Sequence, residues 1–218
     1  MNSKHAALVS MVVLFVLLAC SCNQEQRSYV YFDPNGGTIQ DGRTYIQVDE
    51  NGMVREPSVS KPYNEFLGWY SSPEFDGAAW NFETDAVAKK TNSVHCLYAK
   101  WLPFFRLSES GSIKPNSDAS ALFGALVNIP ETLGNETVKR IAFKAFKDNT
   151  AIESVKLPSS IESIGSRCFM GCTRLSVIEF DGTSDQWDAI SKGESWSEGI
   201  ASNAVVKCNG DKTVIALN

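Results

Sequence analysis

The sequence predicts a mainly β fold with short helices, in two parts: a small sheet-rich module, then a short repeat solenoid closed by a cap. Three observations predict it. Between residues 28 and 102, short alternating runs are separated by glycine and asparagine turns. From Val138 to Asp181 the chain nearly repeats itself at an offset of 23 residues. Between residues 108 and 120 the composition shifts to Ser, Gly, Pro and Asn, as at a domain boundary.

The chain has 218 residues and a formal charge of −5. That length holds one domain or two small ones. A mild acidic excess with no basic block argues against nucleic acid as a partner, because phosphate neutralisation demands clustered Lys and Arg.

Behind Lys4, residues 6–19 form an almost unbroken apolar run. The run is shorter than the roughly 20 residues that span a bilayer, and it suits the apolar core of a secretory signal. It ends Leu17-Leu18-Ala19-Cys20, which resembles the lipobox of bacterial lipoproteins. The resemblance implies that residues 1–19 are a lipoprotein signal peptide, that Cys20 is lipidated, and that residues 20–27 are a polar tether. One acyl chain holds marginally and several anchor stably, so lipidation would fix the chain to a membrane. Cys22 is a weaker alternative site. The expected location is the bacterial cell envelope, at the outer membrane or cell surface.

The first module spans residues 28–102. Tyr29-Val30-Tyr31-Phe32-Asp33 alternates as a strand with one buried face. Asn35-Gly36-Gly37 supplies the positive φ of a tight turn. Residues 44–48 alternate again, and Asp49-Glu50-Asn51-Gly52 is a second turn. An aromatic stretch from Glu65 follows, and His95-Cys96-Leu97-Tyr98-Ala99-Lys100-Trp101 closes the module. The spaced residues Val30, Phe32, Asn35, Gly36, Gly37, Phe66, Gly68, Trp69, Tyr70, Trp80, Phe82, Tyr98 and Trp101 resemble the Listeria–Bacteroides repeat, or internalin B-repeat. That resemblance implies a small β-grasp-like fold used on bacterial surfaces as a spacer or protein-contact module. Trp69, Tyr70 and Trp80 are expected in the core rather than as a sugar-stacking platform, since each buries a large apolar area. His95 is expected to be structural.

Residues 103–120 read as a linker. Phe104, Phe105 and Leu107 are too apolar to hang free, so they pack between the modules or start the second.

The second module spans residues 121–218. At the 23-residue offset Ile141 maps to Ile164, Phe146 to Phe169, Ile152 to Leu175, Val155 to Ile178 and Leu157 to Phe180. Cys168 and Cys172 fill the slots of Ala145 and Asn149. Cysteines on so regular a spacing read as small buried hydrophobes rather than a metal or redox site. A Cys168–Cys172 or Cys172–Cys208 disulfide stays open. Leu126-Val127-Asn128-Ile129-Pro130 is a partial earlier copy. These copies resemble the BspA-like leucine-rich repeat, closely at Ile161, Ile164, Gly165, Phe169, Gly171, Cys172, Leu175 and Ile178. The first copy departs, with Ala142 for the glycine and Asp148-Asn149 for Gly-Cys. The tail from Phe180 is similar to the end of such arrays, where Trp187, Ile190 and Trp196 close the core and Val205-Val206-Lys207-Cys208 adds a last strand.

The resemblance implies one short parallel strand per repeat. Alternation sends Val155, Leu157, Ile178 and Phe180 inward and Asn128, Lys156 and Glu179 outward. These three are the candidate binding face. A solvated face of mixed charge fits the same pattern.

No enzyme is expected. Past the signal the chain holds one histidine, no nucleophile elbow, no phosphate loop and no zinc-spaced ligands, so neither cofactor nor metal is expected. Asp185 and Asp188 are paired carboxylates, but any acidic surface offers such pairs. The expected function is that of a lipid-anchored surface protein binding a protein or glycan partner. The alternative is a periplasm-facing structural or assembly lipoprotein.

Overall fold

The computed structural model describes residues 27–88 and 93–217. The lipobox and Cys20 lie outside them. The chain divides between Trp101 and Leu102 into two compact units.

The first unit is built on a four-stranded sheet of order β3-β1-β6-β5, with β1 (Tyr29–Asp33), β3 (Tyr45–Gln47), β5 (Asn64–Tyr70) and β6 (Val94–Pro103). Strands β1 and β3 are antiparallel, β1 and β6 parallel. A small ribbon pairs β2 (Thr38–Ile39) with β4 (Val59–Ser60). Period-two alternation buries Val30, Phe32, Leu97 and Ala99 on one face. Trp69 joins them fully buried, its ring edge-on to Phe32 at 4.9 Å. The expected turn forms at Asn35 and Gly36, both with positive φ (46° and 79°). It is tied down where Trp101 Nε1 donates to the Pro34 carbonyl at 2.9 Å. Among the described residues this unit has no helix; the core face is covered by loops carrying Val54, Trp80, Phe82 and Val87.

The second unit is a solenoid of two ladders. One sheet has order β16-β14-β12-β8-β7, with β7 (Phe105–Leu107), β8 (Ile113–Pro115), β12 (Arg140–Ile141), β14 (Ser163–Ile164) and β16 (Ser191–Lys192). The other has order β18-β17-β15-β13-β9, with β9 (Leu126–Asn128), β13 (Ser154–Leu157), β15 (Val177–Phe180), β17 (Val205–Cys208) and β18 (Thr213–Ala216). A side hairpin joins β10 (Thr132–Leu133) to β11 (Glu136–Thr137). Each full repeat thus gives two strands where one was expected. The second ladder forms because the segments Ile141-Ala142, Ile164-Gly165 and Lys192-Gly193 of successive turns lie in register, and the Gly165 and Gly193 N–H groups donate to Ile141 and Ile164 carbonyls, both at 2.9 Å.

Residues 103–120, expected as a linker, belong to this unit's fold. Phe105 and Ile113 are buried in its core, and Ile113 pairs with Ile141 as a first rung. A 3-10 turn over Ser117–Leu122, capped by the Asn116 side chain, leads on to the β9 rung.

Between the ladders Val155, Leu157, Ile178 and Phe180 are buried, with Ile141, Ile152, Ile164, Phe169 and Leu175. The cap is α1 (Ser184–Ala189), which opens on a capping box: the Thr183 side chain accepts from the Gln186 N–H, and the Gln186 side chain accepts from the Thr183 N–H. Trp187 and Ile190 are buried as expected, and Trp196 is partly so. Strand β18 was not expected; it returns antiparallel against β17 and ends the parallel run. No helix of the described residues is long and apolar enough to cross a membrane.

Candidate functional site

The outward face of the β9-β13-β15-β17-β18 sheet brings the sequence-predicted residues together. Asn128 lies opposite Lys156, Lys156 opposite Glu179, and Glu179 opposite Lys207. All point away from the core, since their neighbours Val127, Val155, Leu157, Ile178, Phe180, Val206 and Cys208 are buried. Lys156 is held by Asp181 at 3.2 Å, and Asp181 also accepts from Asn209 Nδ2 at 2.9 Å. The charges along this row alternate, with a neutral Asn128 at one end. A second row runs beside it through Leu126, Ser154, Val177, Val205 and Ala216, small or apolar throughout. Leu126, at the edge end of this second row, is 56% exposed, and Val214, which lies opposite Lys207 at the end of the charged row, is 61% exposed, both high for large apolar side chains. The face therefore offers an apolar stripe beside a row of alternating charge.

The sequence reading missed Lys207 and the apolar row. The signal for Lys207 was present, because its strand was anticipated and alternation puts it on the same face. The apolar row carries no motif; only the register reveals that these scattered positions align.

The remaining candidates sit elsewhere. Cys168 and Cys172 are fully buried in the repeat wall, and all four described cysteines are free thiols. Burial, and then the neighbouring Cys172, pushes the Cys168 thiol well above its usual pKa. Burial also pushes Cys172 up to about 11, and its Sγ donates to the Phe146 carbonyl at 3.0 Å. Such thiols are not nucleophiles at neutral pH. Trp69, Tyr70 and Trp80 form no open platform: Trp69 is core, and the indole nitrogen of Trp80 is buried. Tyr70 instead packs on Phe75 and under the Lys100 ammonium. The His95 ring lies 4.9 Å from that of Trp80, and burial lowers its pKa, so it favours the neutral form. Asp185 and Asp188 lie exposed on α1. Among the described residues no three His, Cys, Asp or Glu side chains are grouped to hold a metal.

Two parallel ladders joined turn by turn, with a capped end, define the second unit as a leucine-rich repeat solenoid behind a separate small β unit. Residues 29–100 match the family model of the Listeria-Bacteroides repeat domain, and residues 120–191 that of the BspA type leucine rich repeat region (6 copies). The chain carries a Listeria-Bacteroides repeat followed by BspA type leucine rich repeats. Among solved structures it is similar to a leucine rich cell surface protein from Faecalibacterium prausnitzii (20% identity, TM-score 0.32), over 44% of this chain and 27% of that one. It is also similar to a leucine-rich repeat protein from Bacteroides capillosus (24%, 0.28), over 36% of this chain and 69% of that one. A third is the leucine rich repeat protein of T. pallidum (19%, 0.30), over 47% and 59% respectively. The chain thus spans about a quarter of the first of these proteins. No curated protein matches it.

Proposed function

We propose that this is a lipid-anchored, non-catalytic surface protein whose repeat unit binds a protein or glycan partner in adhesion to a host or to another cell. The observation that carries the reading is the in-register outward face of Asn128, Lys156, Glu179 and Lys207 beside its apolar row. Repeat solenoids characteristically bind along such a ladder. An apolar stripe supplies area and a charged row supplies orientation and register. Support for the anchor is the Leu17-Leu18-Ala19-Cys20 sequence. The Listeria-Bacteroides repeat then serves as a spacer from the membrane.

Protease shaving of intact cells, followed by blotting for the repeat unit, tests the location. Cleavage of the wild type is expected. Protection in intact cells with cleavage after lysis would place the protein inside the envelope as an assembly lipoprotein. Cys20→Ala is expected to leave the membrane fraction; retention there would defeat the lipid anchor. For the face itself, Lys156→Ala is expected to weaken binding of intact cells to matrix-protein or glycan surfaces about 10-fold, while loss of its surface ion pair with Asp181 lowers stability by no more than about 1 kcal/mol.

A further inference from the structure

The sheet of the first unit ends on β3, and the far side of that strand is open. In the β1–β3 ladder Val30 lies opposite Ile46. On either side, the Phe32 N–H donates to the Thr44 carbonyl and the Val48 N–H to the Ser28 carbonyl. Antiparallel pairs alternate between bonded and non-bonded, so Ile46 exchanges its bonds with Val30. Tyr45 and Gln47 therefore turn their N–H and C=O groups away from β1. A cavity of about 410 Å³ is lined by β3, by Gln40, Asp41 and Arg43, and by residues 55–58, and by no residue of β1. All three β3 residues line it, although the side chains of Tyr45 and Gln47 point to the opposite face from Ile46. The cavity thus straddles the free edge of the strand. The opposite edge of the sheet is not open in this way: there the Trp69 carbonyl on β5 accepts the Trp80 N–H at 2.7 Å.

We propose that β3 is a docking edge for an extended peptide segment of a partner protein, which adds to the sheet as a fifth strand by pairing with the Tyr45 and Gln47 backbone. The occupant follows from the donors. Two residues, two apart, each presenting an unpaired N–H and C=O to a cavity, match the hydrogen-bonding repeat of an extended strand. The walls carry both signs of charge, Asp41 and Glu56 with Arg43 and Arg55. They favour a peptide with acidic and basic side chains over a uniformly charged one. The proposal does not depend on the solenoid face, and the two fail separately.

A linear octapeptide phage library panned on the full chain supplies the probe, and the most enriched synthetic octapeptide is then tested by amide hydrogen exchange. On peptide addition the Tyr45 and Gln47 amides are expected to gain at least 10-fold protection, while the Ile46 amide, already bonded to Val30, changes little. Gln47→Pro removes an N–H that faces away from β1 and leaves the β1–β3 ladder whole, a position where proline is tolerated. It is expected to weaken the octapeptide at least 10-fold. Should that variant fail to fold, exchange in the wild type decides alone. No enriched peptide, protection confined to other strands, or unchanged binding to folded Gln47→Pro would overturn the proposal. So would a saccharide that binds in a Tyr45-dependent way without protecting the two amides.

Discussion

The rings of Phe146 and Phe169 lie 5.4 Å apart and within 6° of parallel. They occupy the same slot in successive repeats, and the row continues on both sides: Phe123 meets Phe146 edge-on at 5.9 Å, and Trp196 meets Phe169 at 6.4 Å. Trp187 then joins Trp196 to Phe180. A single aromatic spine thus runs from the first rung to the cap, and each ring shields its neighbours. Phe169 is fully buried in the middle of it. Phe169→Ala removes a ring from a wall that resists collapse around the gap, because backbone bonds tie the turns together: the Phe146 N–H donates to the Cys168 carbonyl at 2.9 Å, and the Phe169 N–H donates to the Trp196 carbonyl at 2.7 Å. A loss of about 3–5 kcal/mol in unfolding free energy is expected. Urea denaturation followed by tryptophan fluorescence measures it. A loss under 1 kcal/mol would mean that the spine is not what holds the rungs together.

Close stacking of the turns leads to a second expectation. A Cβ built on Gly165 would meet backbone atoms of Ala142 and Phe143 at 2.6 Å. Backbone cannot step aside as a flexible side chain can. Gly165→Ala should therefore destabilise the solenoid by about 1–3 kcal/mol through overpacking. The matching slot of the preceding repeat is already Ala142, so Ala142→Gly should cost no more than about 1 kcal/mol, the entropy of a freer unfolded chain. Thermal unfolding of the two variants side by side checks the contrast; equal losses would contradict it.

The parts of the fold legible in the sequence were those with a repeat behind them. Val155, Leu157, Ile178 and Phe180 were placed inward because the same apolar frame recurs at a fixed offset, and all four are buried. The cap was legible through Trp187, Ile190 and Trp196, whose bulk has no other use at an open end. The first rung was not. Ile113 and Ile141 are 28 residues apart, the same spacing as Val127 and Val155, so the partial copy starts earlier than its motif suggests. Ser, Gly and Pro between Ser108 and Asp118 mask it, because two-residue rungs need little apolar sequence to form. Strand β18 escaped for a related reason: its alternation is short, and Val214 faces solvent where a polar residue would have marked the pattern. The open edge of β3 is not a sequence property at all. It depends on which residues of one strand are bonded to another.

The buried thiols give a chemical test of the wall. Cys168 and Cys172 have raised pKa values and no exposure, and Cys208 is buried and raised as well. Cys96 is only partly buried. In a chain with Cys20 and Cys22 replaced by serine, iodoacetamide at pH 7.5 should modify Cys96 first, slowly, since burial raises its pKa too. Cys168 and Cys172 should be modified only as fast as the protein unfolds. Peptide mapping at intervals reads this directly. Early alkylation of Cys172 in the folded chain would show that the wall opens.

The cap should be sensitive to acid. Asp211 Oδ2 accepts from the Ser184 hydroxyl at 2.6 Å and from the Ser184 N–H at 2.8 Å, while Oδ1 accepts from the Thr213 N–H at 3.1 Å. One carboxylate thus ties the first turn of α1 to the β17–β18 hairpin. The Ser184 bonds, with those from Thr213, hold its pKa well below the usual carboxylate range. A carboxylate depressed on folding contributes stability that is fully present above its unfolded pKa, about 3.9, and is lost as the pH falls towards the folded value. Asp211→Asn keeps the shape and discards the charge. Its thermal midpoint should lie below that of the wild type at pH 7, and the gap should close progressively below about pH 4. A gap that stays constant from pH 7 to pH 2.5 would mean that geometry alone, and not the charge on Asp211, fastens the cap.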